Sequence, residues 1–283
     1  MDDGSGPQDR LTGLAVDDVW TRLAQAGPAQ ASEAVVFLHG NPGSAEDWLD
    51  LVAEIGGLRR TVAFDLPDFG QSVAPPEFGH TVAEYATFLG RAFEVLGIER
   101  VHLVLHDFGG PIGLAWALRN LDRVAGVTLI DTGILTGYRW HRMARLWQTP
   151  GVGEIVQAAT TRAAFRRAIT RPEPRGLPRE FVDRMYGDFD RRTRRAVLAL
   201  YRDAKSLGET AGRAIPAFAA ADLPALVIWG AHDSYLPPTF AERQREPFPS
   251  ADIHVLPDSG HWPYVDDPPA VSRLLTEFLR VTE

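Results

Sequence analysis

The chain has 283 residues and a net charge of −8, and hydrophobic residues make up 45% of it. This length and apolar content fit one large α/β domain or two small domains. The acidic balance argues against nucleic acid as a partner, and the absence of cysteine excludes disulfide and thiolate chemistry. Residues 1–10 lack a basic start and an apolar run, and no stretch of about 18 apolar residues follows. We therefore predict a cytoplasmic protein that has no secretory signal and does not enter a membrane.

Short apolar runs alternate with segments of helical spacing along the chain. The runs predict buried strands at residues 34–38, 61–65, 101–105, 126–130, 225–229 and 253–256. Helical spacing predicts helices at residues 44–55, 81–96, 111–119 and 269–281. Thr81 and Glu84 form a capping box at the start of the second helix. The alternation predicts a mostly parallel central sheet that is flanked by helices on both faces.

A long helical segment interrupts this alternation before the strand at residues 225–229. Residues 139–213 hold sixteen arginines and one lysine against eight acids, a net charge of +9, which leaves −17 for the rest of the chain. Since about ninety residues are too many for a loop, we predict a helical lid at residues 133–218, inserted between strands 6 and 7. Residues 1–132 and 219–283 then form the core domain. The charge split indicates either a solvated helical surface or a basic cover that favours an anionic substrate.

Asp107 directly follows a predicted strand and precedes Gly109 and Gly110. A tight turn from strand to helix requires small residues, and the positive end of the following helix stabilises a carboxylate. Such an aspartate is either a helix cap or a nucleophile. We interpret Asp107 as the nucleophile, because the strand and the two glycines place it on the turn.

His261 lies in the loop between the last predicted strand and the last predicted helix, directly after Gly260. We interpret it as the general base. Asp233 follows the strand at residues 225–229, where a carboxylate can orient the imidazole and stabilise its charged form. Asp131, at the end of the strand at residues 126–130, is the alternative acid. The remaining histidines that we considered are interpreted as structural: His80, His102, His141 and His254.

Four motifs in order carry a family resemblance. They are His-Gly-Asn-Pro-Gly at residues 39–43, Asp-Leu-Pro-Asp-Phe-Gly-Gln-Ser at 65–72, His-Asp-Phe-Gly-Gly at 106–110 and Gly-His at 260–261. Together they resemble the α/β-hydrolase superfamily over nearly the whole chain. The order of nucleophile, acid and base is also that of this fold. No Gly-x-Ser-x-Gly occurs, so the chain is most similar to the branch with an aspartate nucleophile, which contains epoxide hydrolases and haloalkane dehalogenases.

An aspartate nucleophile changes the expected reaction. A carboxylate suits displacement at a saturated carbon, which leaves an alkyl ester on Asp107, and His261 then activates a water that hydrolyses the ester. The resemblance implies that the backbone N–H groups of Asn41 and Phe108 form the oxyanion hole. We expect a small organic substrate and water as the reactants, with no metal and no organic cofactor.

The two subfamilies of this branch differ in the residues that stabilise the leaving group. Haloalkane dehalogenases hold the halide with a Trp after the nucleophile and often with the Asn of the His-Gly-Asn-Pro motif. This chain has Asn41, but Phe108 stands at the Trp position and has no N–H side-chain donor. A Trp from the lid, Trp140 or Trp147, is the available substitute.

Epoxide hydrolases instead protonate the epoxide oxygen with two lid tyrosines. Tyr138, Tyr186 and Tyr201 lie in the predicted lid, and Tyr201 falls where the second of these tyrosines is expected. Phe108 and the tyrosines favour this subfamily, so we predict an epoxide hydrolase-type enzyme, with haloalkane dehalogenase as the alternative. A non-hydrolytic biosynthetic catalyst or a ligand receptor on the same fold is a further alternative.

Overall fold

The computed structural model describes residues 11–282, so the prediction about a signal in residues 1–10 lies outside the described residues. The described chain forms one eight-stranded sheet. Its strands are β1 (Leu11–Val16), β2 (Val19–Ala26), β3 (Glu33–Leu38), β4 (Thr61–Phe64), β5 (Arg100–His106), β6 (Val124–Ile130), β7 (Ala225–Gly230) and β8 (Asp252–Leu256). All six predicted strands are present to within two residues at either end.

The strands are arranged in the order β1-β2-β4-β3-β5-β6-β7-β8. Strand β2 runs antiparallel to both β1 and β4, and every other neighbouring pair is parallel. The prediction of a mostly parallel sheet is therefore confirmed. Because parallel strands end at the same edge, the residues that follow β5, β6, β7 and β8 meet there.

Helices cover the sheet, as the alternating pattern predicts. The helices of the core are α1 (Leu49–Gly56), α2 (Val82–Val95), α3 (Gly109–Ala117), α11 (Thr239–Arg243), α12 (Pro263–Asp266) and α13 (Pro268–Val281). A 3₁₀ turn at Ala45–Trp48 replaces the start of the first predicted helix. The Thr81 side chain accepts a hydrogen bond from the Glu84 amide, and the Glu84 carboxylate accepts one from the Thr81 amide, so the predicted capping box is present.

Seven short helices lie between β6 and β7. They are α4 (Arg142–Trp147), α5 (Val152–Ala159), α6 (Arg162–Thr170), α7 (Arg179–Asp188), α8 (Arg191–Asp203), α9 (Leu207–Gly212) and α10 (Ile215–Ala221). We refer to residues 133–218 as the helical insertion. The last helix, α10, runs three residues past the end that the sequence predicts for this segment.

Ion pairs between partly exposed arginines and buried acids join the helical insertion to the core. Arg184 contacts Asp47 and also Glu46, and the Asp47 side chain is only 1% exposed. Arg195 reaches Asp68, whose side chain is fully buried, at 3.0 Å. The unequal charge of the two parts of the chain thus has a structural basis, because arginines of the insertion pair with acids of the core.

Within residues 11–282, no helix combines the length and the apolar character that a membrane span requires.

Candidate active site

Asp107 lies on a sharp turn at the carboxyl edge of the sheet. It directly follows β5 and precedes α3, and its backbone has φ +47°. The neighbouring chain approaches very closely: a Cβ at Gly109 would lie 2.4 Å from the Leu38 carbonyl oxygen, and a Cβ at Gly40 would lie 2.3 Å from the Asp107 Cβ. Only glycine fits at these two positions, so the close approach of the chain around Asp107 depends on them.

His261 lies between two carboxylates. Its Nε2 is 3.6 Å from Asp107 Oδ2, and its Nδ1 donates to Asp233 Oδ2 over 2.8 Å. The other Asp233 oxygen accepts hydrogen bonds from the amides of Tyr235 (2.7 Å) and Leu236 (2.9 Å). Asp233 is therefore held in place by its own loop and fixes the imidazole with Nε2 directed at Asp107.

The two carboxylates determine the charge of the imidazole. Burial alone would lower the pKa of His261, but the charges of Asp233 and Asp107 and the hydrogen bond to Asp233 raise it well above its ordinary value. Burial likewise opposes ionisation of Asp107, yet its interactions with His261 lower the pKa of Asp107. The surroundings thus favour the charged forms of both His261 and Asp107.

Asp131, the alternative acid, lies near this group but does not pair with His261. One of its oxygens accepts from the Gly230 amide at 2.9 Å, and no donor within residues 11–282 reaches the other oxygen, which is buried. Burial and the neighbouring charge of Asp233 raise the pKa of Asp131 well above its ordinary value. Asp131 therefore contacts the Gly230 amide, whereas Asp233 is the acid that pairs with the imidazole.

A backbone donor faces the other oxygen of Asp107. The Asn41 amide, in the loop after β3, donates to Asp107 Oδ1 at 2.8 Å. This N–H is one of the two donors that the resemblance places in an oxyanion hole. Phe108 follows Asp107 at the start of α3, and the use of its amide as the second donor stays a prediction.

A cavity of about 260 Å³ opens in front of Asp107 and His261, and both the core and the helical insertion line it. Its wall is mostly apolar and aromatic. Of the residues predicted to contact substrate, Asn41, Tyr138, Trp147 and Tyr201 line it. Such a cavity suits a small apolar molecule.

Tyr186 is the exception, because it does not line this cavity, and its contact with substrate stays a prediction. Its ring packs against Phe165 with centroids 5.5 Å apart, and the Arg162 guanidinium lies 5.3 Å from the ring centroid. Its hydroxyl donates to the Thr160 carbonyl at 3.5 Å. Tyr186 therefore lies behind the cavity wall, because the side chain of Phe165 stands in front of it.

The polar groups of the cavity wall differ in whether they are already paired. The Tyr138 hydroxyl donates to the Tyr235 carbonyl at 2.9 Å, and the Trp140 indole donates to the Lys205 carbonyl at 3.3 Å. The indole N–H of Trp147 is buried, and no acceptor in the described chain reaches it. The Tyr201 hydroxyl accepts from the Asn41 side-chain amide at 3.4 Å, so its own proton remains available.

Two histidines have a closer relation to the site than the sequence indicates. His141, interpreted as structural, lines the cavity, and burial lowers its pKa to about 4. His106 donates from Nε2 to the His261 carbonyl at 2.8 Å, and burial lowers its pKa to about 3. The position of His106 next to Asp107 was the available signal for its role, whereas nothing local distinguishes His141.

A second cavity, of about 610 Å³, also borders Asp107. It lies beside Phe108 and between α3 and the last helices of the insertion, and it shares Tyr138 and Trp140 with the first cavity. Within residues 11–282, no group of three or more His, Asp or Glu side chains is placed to hold a metal ion.

Comparison with known proteins adds a family and named relatives. A family model described as the alpha/beta hydrolase fold matches residues 33–268. A haloalkane dehalogenase of Agrobacterium fabrum is 38% identical over 128 residues, which cover 43% of this chain and 41% of that protein, less than half of either. Haloalkane dehalogenase 2 of Mycobacterium bovis is 26% identical over 255 residues, 86% of each protein.

A solved structure has the same fold. The haloalkane dehalogenase DbeA from Bradyrhizobium elkani superposes with a TM-score of 0.84 and 24% sequence identity, covering 96% of this chain and 98% of that one. At this identity the likeness establishes the architecture, and the chemistry must be argued from the site.

Proposed function

The chain belongs to the α/β-hydrolase fold family and is an enzyme of the hydrolase class, and from this premise we propose that it hydrolyses carbon–halogen bonds with Asp107 as nucleophile. The proposal reverses the order that the sequence alone favours, in which epoxide opening comes first. The relatives named above are haloalkane dehalogenases, which supports carbon–halogen hydrolysis as the first candidate. The observation that carries the proposal is the apolar cavity that holds Asp107 and His261, with Asn41 and Trp147 in its wall.

The first step forms an ester. Asp107 Oδ2 attacks the carbon that bears the halogen, and the carbon–halogen electron pair leaves with the halide. Asp107 Oδ1 becomes the ester carbonyl oxygen and keeps its hydrogen bond from the Asn41 amide. An anion leaving into an apolar cavity requires a donor, and the Trp147 indole supplies one where Phe108 does not.

The second step consumes water. Ester formation removes the negative charge of Asp107, which is one of the causes of the raised pKa of His261. The imidazole can then release its proton and accept one from water, which attacks the ester carbonyl carbon. The oxyanion that forms on Oδ1 is stabilised by the Asn41 N–H. Its collapse breaks the bond between the carbonyl carbon and the alkyl oxygen, and this oxygen takes the proton from His261 and leaves as the alcohol. The sum is haloalkane plus water giving alcohol, halide and a proton.

Epoxide opening is the second candidate, and a specific observation favours it. The Tyr201 hydroxyl lines the cavity, accepts a hydrogen bond from Asn41 and therefore has a proton to donate to an epoxide oxygen. Tyr138, the other predicted donor in this cavity, already donates to a backbone carbonyl. Only one of the two tyrosines that ring opening uses is therefore available, which places this candidate second.

The experiment that tests the proposal is a turnover panel of 1-bromoalkanes and terminal epoxides, with wild-type protein and the Asp107→Asn variant. We expect bromide release that the variant abolishes. Diol formation without bromide release, lost in Tyr201→Phe, would instead establish the second candidate. Turnover of neither class would contradict both candidates and favour a non-hydrolytic role.

A further inference from the structure

Three hydrogen bonds hold His261, and one of them comes from the helical insertion. Asp233 accepts from the ring at Nδ1, and His106 donates to the backbone carbonyl. The third partner is Glu173, between α6 and α7, whose Oε2 accepts from the His261 backbone N–H at 3.0 Å. Two of the three anchors thus belong to the core, and the insertion supplies the remaining one.

The contact between Glu173 and the loop of His261 is close and buried. Glu173 is only 6% exposed. A Cβ at position 260 would lie 1.9 Å from Glu173 Oε2 and 2.8 Å from the Pro174 Cδ. The two segments therefore fit together only because residue 260 is glycine, and the glycine before His261 has a role beyond its own turn.

The other oxygen of Glu173 argues against a purely structural role. Glu173 Oε1 is buried, and no donor within the described residues reaches it. A buried carboxylate oxygen without a partner destabilises the folded protein. Arg175, two residues later, contacts Asp258 at 3.0 Å, but the side chains of this pair are 52% and 69% exposed, and such pairs contribute little. Docking of the insertion therefore does not account for a buried glutamate.

We propose that Glu173 is a positioning residue for the general base: it fixes the backbone of His261 so that the imidazole stays aligned for attack of water on the ester. This inference rests on the proposed function. It makes the second step of the reaction depend on how the helical insertion is seated over the core, while the first step, which uses Asp107 and the leaving-group donors, does not need Glu173.

The kinetic test separates the two steps. Wild-type protein, Glu173→Ala and Glu173→Gln are mixed rapidly with 1-bromobutane, and the bromide burst and the decay of the ester on Asp107 are followed. In Glu173→Ala we expect an unchanged burst and ester decay about 10- to 100-fold slower, the effect of a small misplacement of a reacting group. Glu173→Gln keeps an acceptor for the His261 N–H and should restore most of the decay rate. Glu180→Ala, on the exposed face of α7, is the matched control.

A spectroscopic readout tests the same idea without substrate. The proton on His261 Nδ1, in its 2.8 Å bond to Asp233, should give a low-field proton resonance in wild-type protein. We expect this signal to broaden or disappear in Glu173→Ala and to persist in Glu173→Gln and Glu180→Ala. If the signal and the ester decay in Glu173→Ala both match the wild type, the positioning role is wrong. A wild type that shows the resonance but releases no bromide would contradict the proposed function, and the resonance of the variants would still decide the role of Glu173.

Discussion

Asp107 and His261 each favour the charged form of the other. A change in the charge of Asp107 therefore changes the pKa of His261. In the proposed mechanism the Asp107 carboxylate is the nucleophile, and it favours the protonated form of the neighbouring imidazole. Once the carboxylate becomes an ester, Asp233 alone supports the imidazolium, and the pKa of His261 falls. The base therefore becomes available only after the nucleophile has reacted.

The role of the cavity donors can be tested one residue at a time. Trp147→Phe removes an indole N–H that has no protein acceptor, so we expect bromide release to fall by about 10- to 100-fold, the range for a hydrogen bond to a charged group. Trp140→Phe is the matched control, because its indole N–H already donates to a backbone carbonyl. Steady-state halide assays of both variants make the comparison. Equal losses in the two variants would show that only aromatic packing matters.

Local sequence predicts that Asp107, Asp233 and His261 lie together but does not predict the contact of Glu173, and the reason is physical. Each of the first three follows a predicted strand, so their meeting at one edge follows from the parallel sheet. Glu173 reaches His261 across 88 residues of chain from a segment without a strand or glycine signal. Local sequence also does not show that the Trp147 indole N–H lacks an acceptor, because this depends on which acceptors lie near it in the folded insertion.

At the scale of elements, the helical insertion is attached by charge as well as by apolar packing. Arg184 on α7 neutralises Asp47 beside α1, which is almost fully buried, and Arg195 on α8 neutralises Asp68 after β4. The length of the helical segment between β6 and β7 predicted an insertion, and the purpose of its excess of arginine was left open. These contacts favour pairing with the core over recognition of an anionic substrate. That the insertion moves as a lid stays a prediction.

Loss of one of these arginines should loosen the insertion. In Arg184→Leu the Asp47 carboxylate stays buried and keeps only the hydrogen bond from the Ser44 amide. We expect the free energy of unfolding to fall by about 2 kcal/mol. This loss is smaller than that for a fully buried pair, because Arg184 is partly exposed. Urea unfolding measures this, with Arg192→Leu as the control for a solvent-exposed pair. A loss no larger than that of the control would contradict the proposed attachment.

The sequence predicts the central strands better than the edge of the sheet. Strands such as β3, β6 and β7 are continuous apolar runs, since helices bury both of their faces. Strands β1 and β2 went unpredicted because they are partly exposed and mix apolar with polar residues. These two strands pair with each other in an antiparallel register. A search for buried apolar runs does not detect strands of this kind.

At the scale of the whole molecule, the buried glutamate should link stability to pH. Burial, together with the charges of Asp266 and Asp233, raises the pKa of Glu173 to about 7 against the attraction of His261, from an ordinary value of 4.5. Between these two values the folded state binds more protons than the unfolded state, so the contribution of Glu173 to the free energy of unfolding falls as the pH rises.

The Glu173→Gln variant isolates this contribution, because the amide does not ionise. We expect its melting temperature relative to wild-type protein to be higher at pH 8 than at pH 5, since only the wild type carries the buried charge at the higher pH. Thermal unfolding of both proteins at the two pH values measures the difference. A constant difference between the proteins would contradict the raised pKa.

The central claim, an ester on Asp107, is tested most directly by removing the base. The His261→Gln variant is incubated separately with 1-bromoalkanes and with terminal epoxides and examined by intact-protein mass spectrometry and peptide mapping. The account predicts an alkyl adduct on Asp107 from the bromoalkanes, with one bromide released per protein. An adduct on Asp107 from the epoxides alone would overturn the assignment of the leaving group. No adduct on Asp107 from either panel would contradict the aspartate nucleophile itself.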